Sequence, residues 1–180
     1  MMDTLNSHPE HKSVKDQFDD PYKFYKQCQE YKERGCFVAQ DYDAEVKTAQ
    51  EHNGIQKEYP LPGENKLILR EELIKIPEAL FHPHYIGDKS QEGIARQTHD
   101  AIVKCDREIQ PDLFKNIVLS GGSTMFPGTK DRMKKEIQAL APSPMGPDVD
   151  APADRKHLCW LGGATLSSIA KFDPMYITKK

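Results

Sequence analysis

Three observations predict an α/β fold. The segment "NIVLSGGSTMFPGTKDRMKKEI" (Asn116–Ile137) runs an apolar triplet into Gly121-Gly122 and then into a charged amphipathic stretch. The segment "HLCWLGGATLSSIAKF" (His157–Phe172) repeats that order, with an apolar run, Gly162-Gly163 and a helix-forming stretch. Two strand–Gly-Gly–helix units gather loops at strand ends, as α/β folds do. The third observation is a hairpin pattern, "QKEYPLP" and "KLILR" around Gly63-Glu64-Asn65, whose second arm is rich in strand formers.

The elements follow in order. Residues 1–20 are polar, with almost no apolar periodicity, and are expected to be a disordered leader. Asp20 and Pro21 suit the cap and first residue of a helix. Tyr22, Tyr25, Cys28 and Tyr31 recur at helical spacing, and Gly35 stops the run. "CFVAQDY" (Cys36–Tyr42) reads as a short strand or turn, residues 43–50 as helix or loop, and Asn53-Gly54 as a turn. In the hairpin, Pro60 and Pro62 push the first arm to a sheet edge. A short helix and a loop bearing Pro83 and two histidines occupy 70–93. Gly93–Cys105 predicts an amphipathic helix with Ile94, Thr98, Ala101, Ile102 and Cys105 on one side. Ile117–Leu119 predicts a strand, and Lys130–Leu140 a helix that turns Met133, Ile137 and Leu140 inward. The four prolines of Ala141–Lys156 require loop or edge strand.

Composition excludes several classes. Hydrophobic residues make up 37% and charged residues 29% of 180 positions, which suits a globular core rather than wholesale disorder. A net charge of −3 gives no basic footprint for nucleic acid. No run approaches the roughly 18 apolar residues of a membrane span, so no membrane partner is expected. The polar start has no apolar segment of a secretory signal. Cys28, Cys36, Cys105 and Cys159 form no CxxC pair and are expected to be reduced, buried thiols of a cytosolic protein.

Few residues point to chemistry on their own. The Gly121-Gly122-Ser123-Thr124 turn leaves two readings open: a tight packing turn, or backbone bared for a flat ligand or phosphate. Its spacing is neither GxGxxG nor GxxxxGK[ST]. For Gly162-Gly163 the packing reading leads. Lys32 and Glu33 at a helix end, and Lys156 after the proline-rich loop, suit a solvated face as well as a cleft. His82 and His84 lack a third ligand at zinc spacing, and no GxSxG elbow exists.

The longer blocks resemble a known family. "NIVLSGGSTMFPGTKDRMKKEIQALAPSPM" is similar to the C-terminal block of actin and its relatives, and "APADRKHLCWLGGATLSSIAKFDPMYITKK" to the block that follows it. "RGCFVAQDYDAEVKTA", "EYPLPGENKLIL", "PEALFHPHYIGDKSQEGI" and "AIVKCDREIQPDLF" continue the resemblance in order, over residues 32–179. Residues 1–31 resemble the family poorly. The resemblance implies a partial actin-like ATPase (ribonuclease-H-like) fold: the second lobe only, with an incomplete core sheet. Residues 21–88 would form its smaller helical and hairpin subdomain and 89–157 its larger α/β subdomain. Residues 158–180 would be a helical segment packed on the missing first lobe, leaving Trp160, Leu166 and Ile169 exposed in its absence.

The resemblance also implies a site. Lys32 and Glu33 match the pair that meets base and ribose, and Lys156 the lysine near the base. Gly122, Met125 and Phe126 line the adenosine pocket, with Gly121 and Ser123 in the same turn; Phe126 stands where actins usually carry tyrosine. The Gly-rich phosphate hairpins and the residues that position the attacking water have no counterpart here. The expected cofactor is therefore ATP or ADP held weakly, with Mg or Ca reaching the chain only through the nucleotide and no hydrolysis by this chain alone. The expected partners are actin or actin-like subunits and actin-binding regulators, in the cytoplasm and cytoskeleton. Residues 82–93 resemble a cross-filament loop, with Asp88-Lys89 in place of a more apolar pair, and 105–112 resemble a longitudinal contact. The alternatives are a non-enzymatic module that binds actin or its regulators, and a gene fragment without independent function.

Overall fold

The computed structural model describes residues 14, 16, 18–51, 54–62, 65–141 and 146–177. Most of the expected leader, the Asn53 half of the 53–54 turn and the hairpin tip 63–64 lie outside them. Of the leader, Val14 is buried and Phe18 packs its ring 5.4 Å from Phe24.

Helix α1 spans Pro21–Gly35, and the Asp20 side chain accepts from the Tyr22 N–H at 2.8 Å. Its buried face is Phe24, Cys28, Tyr31 and Gly35, which corrects the expected 22/25/28/31 stripe. Tyr22 and Tyr25 are exposed; the i, i+4 pair Phe24 and Cys28 sets the inner face, while tyrosine tolerates a wet surface. Residues 36–39 run on without strand pairing, and α2 (Tyr42–Gln50) follows, capped by the Asp41 carboxylate on the Ala44 N–H. The hairpin forms as β1 (Lys57–Pro60) antiparallel to β2 (Lys66–Leu69), with Pro60 opposite Lys66. Leu67 and Leu69 point into the core while Lys66 and Ile68 face out, the alternation of a half-buried strand.

Helices α3 (Glu72–Glu78) and α4 (Ile94–Val103) follow. In α4 the buried residues are Ala95 and Ile102, with Ile94 and Thr98 partly covered. Ala101 and Cys105 are exposed, which corrects the expected face: Cys105 lies beyond the last helical residue. Helix α5 (Gln110–Lys115) leads into β3 (Ile117–Val118), which pairs parallel with β4 (Val149–Asp150). Between them lies α6 (Thr129–Leu140), burying Thr129, Arg132, Met133 and Ile137. Parallel strands need such a crossover, so β3–α6–β4 is one βαβ unit.

The second expected unit does not exist. Residues 158–167 form one helix, α7 (Leu158–Ser167), which runs straight through Gly162-Gly163. The apolar run Leu158–Leu161 finds no strand to pair with among the described residues, and two helix-interior glycines, about 1 kcal/mol each relative to alanine, do not prevent the helix. A Cβ at either glycine would meet nothing within 4 Å, so close packing does not explain this pair. Trp160 and Leu166 on α7, and Ile169 beyond it, are 73%, 53% and 45% exposed. The thiol expectation divides: Cys28 and Cys36 are buried, whereas Cys105 and Cys159 are exposed. Among the described residues no helix is long and apolar enough to cross a membrane.

Candidate functional site

A cavity of about 370 Å³ opens where α1, the turn after β3 and the segment before α7 meet. Lys32, Glu33, Gly122, Ser123, Met125, Phe126 and Lys156 line it. Seven of the eight residues singled out in the sequence thus surround one space; Gly121 is not among them. The volume lies at the small end of the roughly 300–1,000 Å³ range of ligand pockets.

The floor is made by the chain after β3. Gly121 has φ 94° and ψ 158°, a positive-φ extended conformation that is open to glycine and almost nothing else. The next residues form a single 3-10 turn, Gly122–Met125, so α6 starts only at Thr129 and its N-terminus does not open directly onto the glycines. Thr124 closes the turn, donating from N–H (3.1 Å) and Oγ1 (2.8 Å) to the Gly121 carbonyl. Gly122 has no such backbone demand, and a Cβ added there would meet nothing within 4 Å. The packing reading of this glycine pair therefore fails at Gly122, which faces open space at the cavity.

Phe126 is buried and gives the cavity an apolar side, continued by half-exposed Met125. The chain then turns at Gly128, φ 84°, where a Cβ would collide with the Val38 carbonyl. The Val38 N–H donates to the Pro127 carbonyl (2.8 Å) and Gln40 Nε2 to the Gly128 carbonyl (3.0 Å). These bonds hold the stretch after α1 against the floor, which places Lys32 and Glu33 at the cavity.

The polar side belongs to Lys32, Glu33 and Lys156. Gln29 Nε2 donates to Glu33 Oε1 at 2.9 Å, and Lys156 Nζ stands 4.0 Å from Glu33 Oε2. The hydrogen bond first, and the lysine next, hold the Glu33 carboxyl below the usual carboxylate range. A carboxylate, two ammonium groups, a phenyl ring and bared backbone in one small cleft can take a flat heteroaromatic group joined to a hydroxylated one.

Sequence reasoning missed two supporting residues. Arg155, in the 3-10 turn Arg155–His157, bonds to the floor, and its sequence neighbourhood carries no signal for that. Gly128 was legible in principle, because Pro127-Gly128 is a turn signal.

The family model described as Actin matches residues 2–180. The similarity therefore extends over residues 2–31, where the resemblance of individual blocks was poor. A mixed helix and strand architecture, with two small sheets among the described residues, agrees with it. With the match spanning almost every position and the fold consistent, the chain belongs to the actin family.

Proposed function

We propose that the cavity is the adenosine end of an actin-type nucleotide site, and that this chain corresponds to the second lobe of the family fold. The observation that carries the reading is Gly122: an exposed glycine lining a cavity, with ordinary backbone and nothing for a side chain to strike. Backbone left bare there suits a planar ligand that approaches closely. The family binds ATP or ADP together with a divalent cation, and the residues present fit its nucleoside portion. Lys32 and Glu33 would hold base and ribose, Phe126 and Met125 would cover the apolar face, and Lys156 would pack beside the base. The nucleotide supplies the phosphoanhydride when bound.

By itself the 180-residue chain is proposed to bind adenosine nucleotides weakly and not to hydrolyse ATP. A base and a ribose offer few anchors, and ordering them offsets much of the gain. Its proposed setting is that of the family: cytoplasm and cytoskeleton, with actin-like subunits and actin-binding regulators as partners. Exposed Trp160, Leu166 and Ile169 favour a second reading, a module that docks on such a partner through α7 without enzymatic work.

Titration with a fluorescent ATP analogue tests the first reading. The expected dissociation constant is above roughly 100 μM, insensitive to magnesium and raised by Lys156→Ala. Micromolar, magnesium-dependent binding would overturn the claim that only the nucleoside end is held. Co-sedimentation with actin filaments tests the second, and no pelleting above background would reject it.

A further inference from the structure

Arg155 does not line the cavity, yet it joins two of its walls. Its Nε and Nη2 both donate to the Thr124 carbonyl, at 3.2 and 3.1 Å. Its Nη1 donates to the carbonyls of Pro152 (3.0 Å) and Ala151 (3.4 Å). Its own carbonyl accepts from the Gly121 N–H at 2.8 Å and from Ser120 Oγ at 3.5 Å. Thr124 in turn donates back to the Gly121 carbonyl twice. The result is a closed circuit: Gly121 to the Arg155 main chain, the Arg155 guanidinium to Thr124, Thr124 to Gly121. Inside that circuit lie Gly122 and Ser123 of the floor, and Lys156 is the residue next to it.

We propose that Arg155 is a positioning residue for the nucleoside cavity, a clamp that fixes the Gly121–Thr124 turn against the Lys156 segment. The chemistry is specific to a guanidinium. Only a planar fork delivers two N–H groups to one carbonyl while a third nitrogen reaches the opposite way. A lysine would keep the charge and supply one of these contacts at a time. The circuit presets the floor before a ligand arrives, so ordering the turn does not have to be offset by binding. The proposal rests on the nucleoside reading of the cavity.

Amide NMR of the ¹⁵N-labelled chain titrated with adenosine gives affinity and hydrogen exchange from one sample, on wild type, Arg155→Ala, Arg155→Lys and Lys156→Ala. Arg155→Ala is expected to weaken adenosine about tenfold, the size of one lost charge-assisted contact, with Arg155→Lys in between. Exchange at the Gly121 and Thr124 amides should speed up in Arg155→Ala while core amides such as Ile102 stay protected. Unchanged affinity in Arg155→Ala, with Lys156→Ala weakened, overturns the role of Arg155 and leaves the nucleoside reading standing. Exchange accelerated evenly along the chain, with the affinity loss equal to the unfolded fraction, also overturns it, because the arginine then serves global stability alone. A wild-type chain whose Gly122 and Ser123 amides do not shift with adenosine overturns the nucleoside reading and the clamp's function with it.

Discussion

Replacing Arg132 with methionine should remove a large part of the chain's stability. Arg132 lies on α6 and is 5% exposed; its partner Glu78, at the end of α3, is 0% exposed. The guanidinium binds the carboxylate twice (2.8 and 3.1 Å), the Ala39 carbonyl (2.7 Å) and Glu136 (2.6 Å), and its carbon lies 5.0 Å from the centre of the Phe81 ring. Burial alone would lower its pKa; the hydrogen bonds to Glu136 and Glu78 outweigh that and hold it above the ordinary value. Arg132→Met leaves Glu78 buried with, among the described residues, the His82 contact at 2.7 Å. Breaking a buried pair from one side costs about 3–5 kcal/mol, against a typical total stability of about 5–15 kcal/mol. At about 2–4 °C per kcal/mol for a chain of this size, the melting temperature should fall by roughly 6–20 °C. The double variant Glu78→Leu/Arg132→Met removes both charges and orphans chiefly the Ala39 carbonyl, about 1–3 kcal/mol. It should therefore be more stable than Arg132→Met alone. Urea unfolding followed by circular dichroism measures all three chains. A double variant at least as unstable as the single one, or an Arg132→Met loss under about 1 kcal/mol, would refute the argument that an uncompensated buried charge sets the cost.

Further outcomes follow from burial and backbone geometry. Gly121→Ala meets only backbone strain, about 1–3 kcal/mol, whereas Gly128→Ala adds to its strain a collision with the Val38 carbonyl; chemical denaturation should rank Gly128→Ala worse. A thiol-exchange reagent should modify two cysteines, Cys105 and Cys159, in the native chain and four in denaturant. Burial pushes the Cys28 thiol up to about 11 and Cys36 up to about 12, from an ordinary 9.0. Above pH 9 the unfolded chain releases these protons and the folded chain keeps them, so their contribution is complete below that pH and is lost as pH rises toward 12. The stability of wild type relative to Cys36→Val should accordingly shrink above pH 9 in pH-dependent unfolding. Trp160→Glu, at a residue 73% exposed, should reduce self-association in light scattering without lowering the melting temperature.

What was legible in the sequence was local. The Asp20-Pro21 cap, the hairpin around 63–65, the strand at 117 and the α6 pattern are written in adjacent residues, and each forms. Gly162-Gly163 misled because an apolar run of four residues fits a strand and a helix equally, and only the presence of a pairing strand decides. The same locality misplaced the inner face of α1, where tyrosines sit wet beside Phe24. For the site, periodicity alone left Lys32, Glu33 and Lys156 as solvated charges; likeness to family blocks grouped them. Arg155 stayed hidden because its partners, 31 residues away at Thr124, are main-chain carbonyls, which no side-chain pattern announces.

The order of link strengths around the cavity decides how substitutions in it are to be interpreted. Its walls come from three distant stretches, 32–33, 122–126 and 156. Bonds from the Val38 main chain and the Gln40 side chain join the first to the second, and the Arg155 fork joins the second to the third. The third returns to the first through Lys156 and Glu33, 4.0 Å apart with both side chains about half exposed. Solvent and salt screen such a pair, so it adds little beside the two hydrogen-bonded links. Removing the Lys156 charge therefore leaves the cavity standing, and a loss of affinity in Lys156→Ala reports a contact with the ligand. Removing the Arg155 fork weakens the join between the second and third stretches to the bonds that its main-chain carbonyl accepts, and its effect on affinity should appear together with faster exchange in the turn.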